Sequence, residues 1–391
     1  MPLSPRRSDR MRVAINLLTD DPGNPSGAHW FWTRVIPEMA KRLDEHESFH
    51  LLVSPKSKPT HEGYGPNVGY ITFPWSNEKR NLRTLSEHLF SPVRLPLGRI
   101  DVLNTLMAPI VKSAPALVAH IKTLHAYTTP DAISRGARLY RQFSYPRTVQ
   151  KADAVILNSH SLVEEAQEYL DIDPAKIRLI PEAVDHELFN PGDREEAFQH
   201  VSSRYGVRKP FVLFVSSLWP YKNCEGLIKA FAAAKSELGD RQLVVVGPGR
   251  DTEYVGELKA LAAGLGVGDD VVWVGGVPLT ETVHFYRAAD VFVYPSHNET
   301  FGLPILEAMA AACPVVTSNV TAMPETAGGA ALLADPKDAD SIADAIVKAC
   351  GPENERLRKS GPERAGEFTW AATAEKTLAV YREVHAIRSG R

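Results

Sequence analysis

A chain of 391 residues that is 44% hydrophobic and 23% charged has a globular composition rather than a disordered, fibrous or membrane one, and it is too long for a single hydrophobic core, so two domains are expected. A net charge of −3 argues against a dedicated nucleic-acid binder, whose domains run strongly basic. Three scattered cysteines, Cys224, Cys313 and Cys350, suit neither a disulfide framework nor a zinc site and point to a reducing compartment, and no apolar run is long enough to span a bilayer, so a cytoplasmic protein is expected.

Short apolar runs alternate with longer amphipathic stretches, the pattern of βα units around parallel sheets. In the first half strands are predicted at Arg12–Leu18, His50–Ser54, Tyr70–Pro74, Asp101–Asn104, Leu117–Leu124, Ala154–Asn158 and Arg178–Pro181. The loop TDDPGNPSGAHWF follows the first of them, and its Ser26-Gly27 pair lets a ligand approach the backbone. The window 56–153 holds 14 basic and 6 acidic residues, which implies an anionic partner. Within it, Arg135, Arg138 and Arg141 recur every three positions and share a helix face.

The polar stretch NPGDREEAFQHVSSRYGVRK, from Asn190 to Lys209, holds no strand and reads as the break between the halves. Beyond it, strands are predicted at Phe211–Ser216, Leu243–Gly247, Val271–Gly275, Val291–Pro295, Val315–Ser318 and Ala331–Ala334, with helices at Glu225–Leu238, Glu253–Gly264 and Asp338–Ala349. Two doubly wound α/β domains follow, with a cleft where the carboxyl ends of their strands face each other. In VFVYPSHNETFGLPILEAMAAACPVV, from Val291 to Val316, a buried strand runs into a polar loop, and Pro304 stands at the first turn of a helix. Glu299 and Glu307 lie eight positions apart, and the amides of Phe301, Gly302 and Leu303 open the helix, where the dipole suits a phosphate.

That block closely resembles the E-x7-E motif of family 4 glycosyltransferases, matching at Glu299, Phe301, Gly302, Leu303, Pro304, Glu307, Ala308, Met309, Ala310, Pro314 and Val315. SNVTAMPETAGGAALLADP (Ser318–Pro336) and the stretch Ile156–Pro191 extend the likeness over almost the whole chain. The resemblance implies a GT-B fold of two facing Rossmann-like domains. Their expected bounds are 1–195 for the acceptor and 205–370 for the nucleotide-sugar donor, with 371–391 a helix crossing back to the first domain. It also implies a retaining, metal-independent hexosyltransferase of surface polysaccharide or glycoconjugate synthesis. The donor would be a GDP- or UDP-sugar and the acceptor a glycan, a lipid-linked glycan or a small molecule, with no cofactor.

By the same resemblance Glu299 contacts the transferred sugar and Glu307 the ribose hydroxyls, while the amides of Phe301, Gly302 and Leu303 hold the diphosphate. Lys222, in SSLWPYKN, falls on the family's phosphate-binding lysine, whereas Ser217 and Tyr221 stand where a partner arginine is expected. Ser26 and Gly27 match its glycine-rich loop, and backbone near Val277 reads the base. His125 looks like the histidine of its H-D pair, with Ala126 replacing the aspartate. Arg135, Arg138 and Arg141 would meet an anionic acceptor or the face of an anionic membrane. Two competing readings are a sugar-nucleotide epimerase of the same fold and a non-catalytic nucleotide-sugar-binding subunit; only a transferase makes release of nucleoside diphosphate depend on an acceptor.

Overall fold

The computed structural model describes residues 10–23, 27–75, 82, 99–106, 116–208, 210–249 and 251–390. The chain divides into two units, Met1–Glu182 with Trp370–Arg391, and Ala183–Thr369. Each of the thirteen predicted strands has its counterpart, displaced by a few residues at the ends: β1 Met11–Asn16, β2 Glu47–Val53, β3 Val68–Thr72, β4 Val102–Leu106, β5 Ala116–His120, β6 Ala154–Leu157 and β7 Ile177–Leu179 in the first unit, then β8 Phe211–Val215, β9 Gln242–Val246, β10 Val271–Gly275, β11 Val291–Tyr294, β12 Val315–Ser318 and β13 Leu332–Ala334 in the second.

The first unit forms a seven-stranded sheet in the order β3-β2-β1-β4-β5-β6-β7, with every pairing parallel. Alternate side chains go to opposite faces. Val13, Ile15, Leu51, Val53, Val102 and Val118 enter one core, under the helices Gly27–Ala40 and Trp370–Ser389. Ala14, Leu52, Leu103, Leu117 and Ala119 enter the other, under Arg135–Lys151 and His160–Leu170. The helix Trp370–Ser389 adds Ala374, Leu378, Tyr381 and Val384 to the first core. Ion pairs also fasten it: Arg382 to Glu47 at 2.7 Å, Arg178 to Glu383, and Arg388 to Asp153 at 2.6 Å.

The second unit has a six-stranded parallel sheet, β10-β9-β8-β11-β12-β13, over one continuous core. The polar stretch 190–209 is not an open linker, because a helix, Arg194–Tyr205, forms inside it. Asp193 accepts from the Glu196 amide at 2.8 Å at its start, and Gly206 ends it at φ 69°. The capping aspartate and the C-terminal glycine are the local signals that a polar composition obscured. The predicted helix Glu225–Leu238 is two, Cys224–Ala233 and Lys235–Leu238, with a break at Ala234. Among the described residues no helix is long and apolar enough to cross a membrane.

Candidate functional site

Lys222 and Glu299 come from different loops of the second unit and meet at 2.5 Å. Lys222 closes the short 3-10 turn Pro220–Lys222 that follows β8. The next residue, Asn223, adopts a left-handed conformation at φ 60° and caps the helix Cys224–Ala233 by accepting from the Gly226 amide. Its side-chain amide donates to the carbonyls of Pro295 and Pro336 at 2.9 and 2.7 Å, so three loops are joined directly beside the lysine. Asn tolerates this backbone conformation and bonds locally in it, which few other residues do.

Glu299 lies in the loop after β11. Its backbone is tied to the segment after β12, where the Glu299 amide donates to Thr321 Oγ1 and the Ala322 amide donates to the Glu299 carbonyl. Three donors converge on one oxygen of its carboxylate: Lys222 Nζ at 2.5 Å, Tyr294 Oη at 2.8 Å and Ser296 Oγ at 2.8 Å all meet Oε1. Oε2 has no partner among the described residues. Lys222 also donates to Tyr294 Oη at 2.7 Å. An ammonium has three N–H donors, and Glu299, Tyr294 and the Tyr221 hydroxyl stand around them. Burial opposes the charge on Lys222, yet Glu299, Tyr294 and Tyr221 around it raise its pKa above the usual lysine range, and it stays cationic.

Gly302 starts the helix Leu303–Ala310 at φ 88°, and a Cβ there would stand 2.9 Å from Ile305 Cδ1. Both the left-handed backbone and the close side chain call for glycine. Phe301 is buried beneath this turn, where its carbonyl accepts from Thr326 Oγ1. The amides of Phe301, Gly302 and Leu303 find no acceptor among the described residues, and they stand at the positive end of the helix. Pro304, in the first turn, has no amide to leave unpaired.

Glu307, on the same helix, accepts a hydrogen bond from the buried Tyr286 hydroxyl at 3.0 Å. Desolvation pushes its carboxyl up to about 7 against the pull of that bond. Ser217 and Val277 each lie two residues past a strand, after β8 and β10, and both are partly buried. The Ser217 turn is drawn against the β9 loop, since the Ser216 amide donates to Val246 and the Leu218 amide to Pro248. Gly247, at φ 139°, passes so close that a Cβ would fall 1.9 Å from the Ser216 carbonyl oxygen.

The remaining predicted residues belong to the first unit. His125 does not end a strand: β5 stops at His120, and His125 sits in the loop beyond it, with Nδ1 2.5 Å from Thr129 Oγ1. Ala126 is fully buried and its carbonyl accepts from Gln142 Nε2, so an aspartate there would be an acid inside the core. Gly27 is exposed at the first position of its helix, and Ser26 lies outside the described residues. Of the three arginines, Arg135 and Arg138 are exposed and Arg141 is partly buried. The outward stripe of that helix is instead Arg135, Leu139, Phe143 and Arg147, with Leu139 67% and Phe143 59% exposed. The Arg147 guanidinium lies 3.7 Å over the Phe143 ring.

Sequence reasoning missed Tyr294, Ser296 and Tyr286. In the sequence Tyr294 and Tyr286 are indistinguishable from core aromatics, and their hydroxyls acquire partners only when the strand β11 and the helix Leu279–Ala288 are placed beside the two acids.

Two family models match the chain: "Glycosyltransferase Family 4" over residues 33–188 and "Glycosyl transferases group 1" over 195–364. A D-inositol 3-phosphate glycosyltransferase of Corynebacterium glutamicum is 30% identical over 287 residues, 71% of this chain and 67% of that protein. The protein of the same name from Kribbella flavida is 36% identical over 248 residues, 60% of this chain and 58% of its own length. The aligned stretches thus span about half to two thirds of these relatives. Among solved structures, sucrose-phosphate synthase from Thermosynechococcus elongatus superposes with a TM-score of 0.74 at 22% identity, over 97% of this chain and 100% of that one. Anabaena HepE in complex with UDP and glucose superposes with a TM-score of 0.70 at 19% identity, over 96% and 100%. The fold is the GT-B fold, and the chain belongs to the group 1 glycosyltransferases.

Proposed function

We propose that this protein is a retaining glycosyltransferase that moves a hexose from a nucleoside diphosphate sugar to an acceptor hydroxyl, with the donor held by the second unit and the acceptor by the first. The observation that carries the reading is the Lys222–Glu299 constellation, in which one carboxylate oxygen is saturated and the other is open beside a buried cation. Glu299 Oε2 accepts from hydroxyls of the sugar, and Glu307 accepts from the ribose. Charge that develops on the departing diphosphate is met by Lys222 and by the amides of Phe301, Gly302 and Leu303, preorganised donors that need no rearrangement as the bond breaks. Because fixed protein charges do this work, chelation by EDTA leaves the rate unchanged.

The solved HepE complexes with UDP and with UDP-glucose make UDP-sugars the first donors to test. The names of the curated relatives put D-inositol 3-phosphate first among acceptors. Thermal-shift measurements with UDP, GDP and their sugars identify the base, since a ligand that binds only the folded state raises Tm. Proton NMR of the product then gives its anomeric configuration. Donor turnover without any acceptor dependence, or a product of inverted configuration, overturns the reading.

The stripe Arg135, Leu139, Phe143 and Arg147 supports peripheral contact with an anionic membrane surface, with two apolar side chains presented between cations. Each basic residue near such a surface contributes about 1 kcal/mol. Co-sedimentation with vesicles containing phosphatidylglycerol is expected for the wild type. It should be lost in Leu139→Glu/Phe143→Glu and at high salt, while vesicles of neutral lipid bring down neither protein.

A further inference from the structure

The first unit contains a hydrogen-bonded chain that neither the sequence motifs nor the donor site uses. It is built where two loops leave the carboxyl edge of the sheet, the loop after β1 and the loop after β2. Asp20, 7% exposed, bridges two histidines: Oδ1 lies 2.7 Å from His29 Nδ1 and Oδ2 lies 2.8 Å from His61 Nε2. His61 is sealed completely, and its Nδ1 stands 3.3 Å from the Tyr64 hydroxyl. Burial works against charge on Asp20, but the hydrogen bonds from His61 and His29 outweigh it and hold the carboxyl below its usual range.

An ionised Asp20 accepts from both rings, which fixes the direction of the two bonds to it. His61 donates through Nε2 and His29 through Nδ1, while the Tyr64 hydroxyl stands 3.3 Å from both His61 Nδ1 and the Thr60 carbonyl. In the neutral tautomer that donates through Nδ1, the lone pair of His29 is on Nε2. His29 is itself 7% exposed, and Nε2 has no partner among the described residues. A nine-tenths buried imidazole with one nitrogen fixed and the other unspent is an acceptor awaiting a donor. Beside it are Gly27, with open space where a Cβ would be, and Trp30, 38% exposed with its ring edge-on to His29 at 5.2 Å.

We propose that His29 Nε2 accepts the hydrogen bond of the acceptor's hydroxyl, with Trp30 covering the acceptor's ring and Asp20 and His61 acting as positioning residues. The ligand class is a polyhydroxylated ring. The proposal rests on the transferase reading above. A hydrogen bond of this kind fixes the orientation of the hydroxyl, which lowers the entropic cost of the transfer step.

The test compares wild type, His29→Ala, His29→Gln, Trp30→Ala and Asp20→Asn, with UDP-glucose and GDP-mannose as donors. D-inositol 3-phosphate is one acceptor probe, and glycerol at high concentration serves as a generic hydroxyl. In Trp30→Ala and Asp20→Asn the acceptor KM rises about tenfold, while donor KM and UDP or GDP affinity stay at wild-type values. In both, the fraction of donor lost to water increases relative to the fraction transferred. His29→Gln presents an amide oxygen near the place of Nε2 and recovers part of the loss that His29→Ala shows. Unchanged acceptor KM and partition in His29→Ala, with Tm preserved, overturns the proposal. Equal losses in donor and acceptor KM assign the chain a purely structural role and overturn it as well. Failure of the wild type to bind either nucleotide or to turn over either donor overturns the transferase reading instead.

Discussion

Replacing Lys222 with Met is expected to cut kcat by roughly 10²–10³-fold, the loss seen when one preorganised donor to a developing anion is removed. The substitution also strands Glu299, whose Oε1 then keeps only Tyr294 and Ser296 as donors. Leaving one member of a buried pair uncompensated destabilises by about 3 kcal/mol, read as a lower urea midpoint. The double variant Lys222→Met/Glu299→Gln removes the stranded charge and should restore most of the midpoint. Activity stays lost, because neither the cation nor the carboxylate has returned. The two readouts therefore separate what the pair does for folding from what it does for transfer. A double variant that regains activity along with stability would show that Lys222 acts only as a counter-ion to Glu299.

Glu307→Gln is expected to move stability and donor use in opposite directions. The carboxyl of Glu307 is raised from the ordinary 4.5 to about 7 by burial. A raised acid favours the fold while it is protonated: this contribution is complete below about 4.5 and is lost as pH rises through about 7. At pH 8 the wild type has lost at most roughly 3 kcal/mol on this account, and a neutral glutamine does not incur that loss. Glu307→Gln should therefore raise Tm at pH 8 and leave it nearly unchanged at pH 4. Donor kcat/KM falls about tenfold, because an amide is a weaker acceptor for ribose hydroxyls than a carboxylate. The wild-type pH profile of donor kcat/KM, which reports the free enzyme, declines below about 7, and the variant lacks that decline. Equal Tm values at pH 8 for the two proteins would contradict the burial argument.

What the sequence made legible follows from what is local. Strands such as Val271–Gly275 and Val315–Ser318 were bounded correctly because a buried parallel strand is an unbroken apolar run between polar turns. Gly302, Pro304 and the two acids are legible for the same reason, since backbone conformation and helix start are decided within a few residues. The helix Arg194–Tyr205 was hidden because its narrow apolar face, Ala197, Phe198, Val201 and Tyr205, is set among charged and polar residues. The strand predicted over Leu117–Leu124 runs past His120 because Ile121 and Leu124 continue the apolar run of β5 after the ladder ends, packing as loop residues instead. The Tyr294 and Ser296 bonds to Glu299, and the Asp20 bridge between histidines 9 and 41 positions away, are long-range or side-chain-specific events. No periodicity encodes them.

The route of the chain also orders its synthesis. All of the second unit lies between Ala183 and Thr369, so its core is complete once that stretch has left the ribosome. The first unit, although begun earlier, still lacks Ala374, Leu378, Tyr381 and Val384 of its core at that moment, together with the partner of Glu47. The nascent first unit must wait, one sheet face covered only by the helix Gly27–Ala40, for the whole second unit to be translated. During that interval it is the natural client of a chaperone, and truncation before Trp370 would spare the later-made unit and ruin the earlier one.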